Sequence, residues 1–184
     1  MVNIKSTVPD FLKYWEKAKE CCMDEKVRLW NDYYIKQNEA IFNVYYDGGY
    51  AMKEYLKHNI RNLSETIPKI QELNYKAEEI VRYSVKECFS IFKVPEEELD
   101  FVIMVGQGSS DGWVTNFKGK HTSFIALEFI SDIEQLGITI AHETAHLIHI
   151  ILRDLKENTV IANLFKEGIA IYVSSLIFSS SDQT

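Results

Sequence analysis

The chain has 184 residues, 46% hydrophobic and 26% charged, with three prolines and a net charge of −7. This is one domain's length with enough apolar content for a sizeable core, and it excludes a disordered, collagenous or low-complexity protein. The acidic balance offers no field for a phosphate backbone, so no nucleic-acid partner is expected, and no purely apolar run approaches the ~18 residues of a membrane span, so no membrane partner is expected either.

Ahead of Asp10 there is no apolar stretch of the signal-peptide kind. From Asp10 to about Tyr46, apolar residues recur at spacings of three and four, as at Phe11, Tyr14, Trp15 and Ala18, which predicts helix. Within this run Cys21–Cys22 is a vicinal pair in a chain of three cysteines. That pattern fits free thiols in a reducing, cytoplasmic setting better than a disulfide framework or a zinc site. Asp47-Gly48-Gly49 breaks the pattern, and a second helix is expected from Tyr50 to about Leu63. Pro68 suits the first turn of a third, running to about Phe92 and ended by Lys93-Val94-Pro95. The aromatics Trp15, Trp30, Tyr33, Tyr34, Tyr45 and Tyr46 read as helix-packing residues rather than the lining of a groove.

The texture changes at Asp100. Phe101 to Val105 is a short apolar run of the buried-strand kind, and Gly106 to Gly112 is a turn. That turn lacks the third glycine and the following helix of a phosphate-binding loop. Trp113 to Phe117 alternates as a strand, Lys118-Gly119-Lys120 turns the chain, and Thr122 to Ile130 alternates again. The expected fold class is α+β in one domain over residues 1–178. A helical lobe (1–99) precedes a small, mainly antiparallel sheet with helices after it (100–178), and 179–184 form a tail.

From Ile133 to about Leu155 the apolar residues Ile133, Leu136, Ile140, Ala141, Leu147, Ile148, Ile151, Leu152 and Leu155 make a sustained helical stripe. Another face of the same helix carries His142-Glu143-Thr144-Ala145-His146, and three of the five histidines fall between 142 and 149. Residues four apart are offset by about 40° around the axis and ~6 Å along it, so both imidazoles can converge on one tetrahedral ion. Glu143, about 100° round from His142, sits beside such an ion without binding it, placed to take a proton from metal-activated water.

A hydrolytic zinc site needs a third protein ligand. His149 lies about 10 Å along the axis from His142, and Glu157 is further still. Glu167 lies on what reads as a second helix, Thr159 to Phe178, turned and capped by Asn158-Thr159. Antiparallel packing of the two helices would face Glu167 towards the histidines, and Gly168 would permit close approach.

The pentapeptide, followed by Glu167-Gly168-Ile169-Ala170 on a later helix, resembles the gluzincin branch of zinc metallopeptidases. In particular it is similar to a bacterial group of predicted zinc-dependent proteases of otherwise unknown function. The resemblance covers roughly Asp100 to Phe178. It implies a zincin-like fold, Zn2+ held by His142, His146 and Glu167, and Glu143 as general base. It also implies a peptide or protein substrate laid along Thr122–Ile130 as an edge strand. Metzincins are excluded, because His149 and Leu152 stand where that branch needs glycine and a third histidine. The chain also departs from relatives of thermolysin, with Ile171 where an aspartate would orient a ligand histidine, and from aminopeptidase-like gluzincins, with Lys166 in place of asparagine. With only Ser179 to Thr184 beyond Phe178, weak peptidase activity is expected. The alternative function is a zinc-binding regulatory or interaction protein on the same scaffold. Substrate specificity and oligomeric state have no signal in the sequence.

Overall fold

The computed structural model describes residues 1–48, 56–108, 110–152 and 159–178. The predicted helix start at Tyr50, the helix end at Leu155, Glu157, the Asn158 cap and the tail 179–184 lie outside the described residues.

The architecture is α+β, with a four-stranded mixed sheet in the order β1-β2-β4-β3. Its strands are β1 (Val2–Ser6), β2 (Leu99–Met104), β3 (Gly112–Phe117) and β4 (Lys120–Ala126). β1 and β4 both run parallel to β2, and only β3 and β4 are antiparallel. This corrects the expectation of a mainly antiparallel sheet. The β3–β4 hairpin turns through Lys118 and Gly119, with φ of 54° and 84°, the left-handed pair that a two-residue hairpin demands. The hairpin then inserts β4 beside β2 and leaves β3 outermost, so two strands close in sequence end up parallel. β4 is therefore interior, not the edge strand expected for Thr122–Ile130. It also ends at Ala126, and Leu127–Phe129 form a 3₁₀ turn.

β1 was not foreseen. Val2 and Ile4 alternate with Asn3 and Lys5, and the strand pairs in register from Val2 opposite Leu99 to Ser6 opposite Ile103. The predicted continuous helical run over Asp10–Tyr46 is broken into α1 (Val8–Ala18), α2 (Met23–Leu29), a π-helical segment (Trp30–Ile35), a 3₁₀ turn (Lys36–Asn38) and α3 (Glu39–Asp47). Pro68 does not open a helix but lies inside α4 (Leu56–Phe92). The helices expected to end at Leu63 and begin at Pro68 are thus one.

Packed aromatic rings, mostly edge-to-face within the helical lobe and tilted or stacked at the sheet, carry the core from one to the other. Phe11, Tyr14, Trp30, Tyr34 and Phe42 meet at centroid distances of 5.0–5.9 Å, and Tyr45 packs on Trp113, which stacks on Phe124. Such contacts add to the area they bury, about 0.5–1.5 kcal/mol each. Trp15, Trp30, Tyr34 and Tyr45 are packing residues as expected, whereas Tyr33 is 40% exposed. Cys21, Cys22 and Cys88 are free thiols.

The last two helices, α5 (Ile133–Leu152) and α6 (Val160–Phe178), pack on each other and on α4. Leu136, Ile140, Ala141, Leu147 and Ile148 bury the middle of the α5 stripe, while its ends at Ile133, Ile151 and Leu152 are exposed. Thr159 caps α6, its Oγ1 accepting from the Ala162 N–H at 3.1 Å. Among the described residues, α6 is the one helix long and apolar enough to cross a membrane by length and composition. Lys166 and Glu167 interrupt its apolar runs, which is why counting those runs overlooked it.

Candidate metal centre

The α5 helix sets the site. Thr144 and Ala145 sit on its buried side, the Thr144 hydroxyl returning to the Ile140 carbonyl at 2.7 Å, so a polar residue is accommodated inside. Behind the helix, the Cys88 thiol of α4 donates to the Ala141 carbonyl, and burial pushes that thiol up to about 12. With that side fixed, His142 and His146 emerge one turn apart on the opposite side, beside α6.

There the two Nε2 atoms lie 3.0 Å apart. Glu167, from the middle of α6, brings one carboxylate oxygen to 3.3 Å from His142 Nε2 and the other to 3.4 Å from His146 Nε2. A tetrahedral ion with ligand bonds of about 2.0–2.1 Å separates its ligands by about 3.3 Å, and one donor atom from each of the three residues lies within 4.8 Å of the others, so the group could hold a metal ion. The donor set, two imidazoles and a carboxylate, suits that ion as well. Burial, and next the adjacent His142 ring, hold the His146 imidazole below its ordinary value against the pull of Glu167. The neutral ring is the form that binds a metal.

Glu143 points elsewhere on the same turn. It is 7% exposed and lines a cavity of about 900 Å³ whose walls include all three donors. Burial first, then the charges of Asp111 and Glu167, push its carboxyl up to about 8. The three predicted ligands and the predicted base thus meet in one cavity. His149 also lines it, its ring against Phe165 rather than within the donor triangle.

Several residues here were not foreseen. Asp111 accepts a hydrogen bond from the Thr139 hydroxyl at 3.2 Å, which ties the turn before β3 to the first half of α5. Gly112, Trp113 and Val114 form one wall of the cavity, and His121 another part of it. Glu128, read as a strand residue, turns its carboxylate onto the Gly106–Gly108 turn and accepts both backbone N–H groups, at 2.7 and 3.0 Å. The Asp-Gly pair at 111–112 is a sequence signal, but for a turn; nothing in its spacing relates it to α5. Comparison of the chain with known protein families, curated proteins and solved structures finds no match.

Proposed function

We propose that this chain is a zinc-dependent peptidase of zincin-like architecture, with His142, His146 and Glu167 holding the metal and Glu143 as general base. The observation that carries this reading is the cluster of His142, His146 and Glu167, its imidazole nitrogens 3.0 Å apart and each 3.3–3.4 Å from one Glu167 oxygen, beside the separate buried carboxylate of Glu143. A bound zinc ion supplies a Lewis acid for the scissile carbonyl and lowers the pKa of water towards ~7. The chain's own part is to fix the two imidazoles on one helix face and to bring Glu167 against them from the next helix. It also holds Glu143 beside the donors, where the positive charge of a bound ion would offset the burial and like charges that raise its carboxyl, so that the carboxylate could take the proton of the attacking water and return it to the leaving amine. β3 borders the cavity at the sheet edge, so Gly112 to Phe117 offers the main-chain groups along which an extended peptide adds as a strand. Free thiols fit a cytoplasmic setting.

The deciding experiment combines zinc stoichiometry with hydrolysis of a mixed peptide library. One zinc per chain is expected. Glu143→Gln should retain it and lose at least 10²-fold in turnover, the usual contribution of a positioned base. Zinc binding without turnover in the wild type would leave the regulatory, zinc-binding function instead. Absence of zinc binding would remove both.

A further inference from the structure

Helix α6 buries Ala170, Val173, Ser174 and Ile177 against the rest of the molecule. On its other side Val160, Ile161, Leu164, Phe165, Ile171 and Tyr172 are 56–80% exposed. At 100° per residue, these six lie within about 80° either side of Gly168. Lys166 and Glu167 fall outside that arc, so the face carries no charge. Its exposed area is about 800 Å², above the ~300–600 Å² of the largest patch on an ordinary monomer. That is on the scale of the ~800 Å² that each partner contributes to a standard interface.

The arrangement is also symmetric. Gly168 stands at its midpoint, and beyond the local backbone of α6 itself no atom lies within 4 Å of where a Cβ would be. Phe165 and Ile171 are three residues before and after it, and Leu164 and Tyr172 four. A two-fold axis beside Gly168, perpendicular to both helices, therefore sets Phe165 of one copy across from Tyr172 of the other and Leu164 across from Ile171. The bare backbone at the crossing point lets the helices close. Such self-complementarity is what an isologous interface requires. An anionic bilayer is a poorer occupant, because surface-binding helices ring their apolar face with lysine and arginine, whereas this chain has a net charge of −7.

We infer that the α6 face is a homodimer interface, with two copies pairing antiparallel about Gly168 and the two Glu167 side chains at its rim. Sedimentation velocity of the full chain from 1 to 100 μM tests this, with Leu164→Glu, Gly168→Lys and, as a control on the exposed Tyr75 of α4, Tyr75→Glu. A dimer is expected for the wild type and the control, with the dissociation constant raised at least 100-fold in the two α6 variants. Gly168→Lys meets no neighbouring atom, so it keeps the test decisive if Leu164→Glu fails to fold. A wild type that stays monomeric to 100 μM overturns the inference, as does a dimer that persists in Gly168→Lys. Flotation of a monomeric wild type with vesicles of phosphatidylcholine and phosphatidylglycerol (3:1) would assign the face to a membrane and equally overturn it.

Discussion

A Cβ on Gly112 would lie 2.8 Å from Cγ of Glu143 and 3.1 Å from its Oε1, so the first residue of β3 rests directly on the buried carboxylate. Real Cβ atoms do not approach that closely, and only glycine fits between the strand and α5. The cavity wall that would receive a peptide and the side chain proposed as its base are therefore one packed unit.

From this contact, Gly112→Ala should displace the Glu143 side chain while leaving His142, His146 and Glu167, which are not among the nearest neighbours of that Cβ, in place. Zinc stoichiometry should stay at wild type and kcat/KM should fall at least ten-fold, since a displacement near 1 Å can cost up to about 10² in rate. Zinc loss in step with activity would mean that the strand supports the ligands instead.

A second prediction concerns Tyr34. Its buried hydroxyl donates to the Val105 carbonyl and accepts from the Val105 N–H, both at 2.9 Å, and it meets the Thr7 hydroxyl at 2.8 Å. One side chain of the π-helical segment thereby satisfies the backbone just beyond β2 and the residue just beyond β1. Tyr34→Phe leaves the Val105 N–H and carbonyl without this partner in the core. A loss of about 2–4 kcal/mol is expected in urea unfolding, because orphaned buried groups cost more than a bond contributes. A loss under 0.5 kcal/mol would mean that water reaches them.

The residues of the candidate metal site were legible as a cluster because the histidines are one helical turn apart and Glu167 sits on the next helix. What was missed is non-local. β1 pairs with a strand near residue 100 that no short window connects to it. The parallel pairing of β2 with β4 depends on which side the hairpin folds, and alternation within a strand cannot report that. Pro68 was read by its usual position at a helix start, but packing holds α4 together through it; Ile70, Leu73 and Ala77 beyond it are buried in the same core. Asp111 and Glu128 resemble ordinary turn and strand polar residues until the fold brings Thr139 and the Gly106–Gly108 backbone to them.

Glu128 gives a pH-dependent prediction. Burial raises its pKa, partly opposed by the N–H bonds from Gly106 and Gly108. A carboxyl raised in the folded state contributes stability that is fully present below its unfolded value, ~4.3, and is lost as pH rises through the folded value. Glu128→Gln has no such titration. The wild type's advantage over the variant should therefore be largest near pH 4 and shrink towards pH 8, measured by denaturant unfolding of the metal-free protein at each pH. An advantage that grows with pH would show that the two N–H bonds outweigh burial and favour the ionised form.

The last prediction concerns the donor triangle itself. His142 and His146 each supply one nitrogen, and Glu167 reaches both with separate oxygens at 3.3 and 3.4 Å. Removing either imidazole leaves two protein ligands, too few for a stable zinc site, so His142→Ala and His146→Ala should each contain less than a tenth of the wild-type zinc after dialysis. Glu167 is the more exposed donor, 57% accessible against 23% and 17% for the two histidine side chains. Water can take its place more readily, so Glu167→Ala should weaken binding without abolishing it, and Glu167→Gln should fall between, through its amide oxygen. The order is read from zinc competition against a chromogenic chelator, with far-UV circular dichroism confirming that each variant is folded. Equal zinc affinity in Glu167→Ala and wild type would detach α6 from the metal. Equal affinity in all three alanine variants would show that the 3.0 Å approach of the imidazoles is side-chain packing on one helix face.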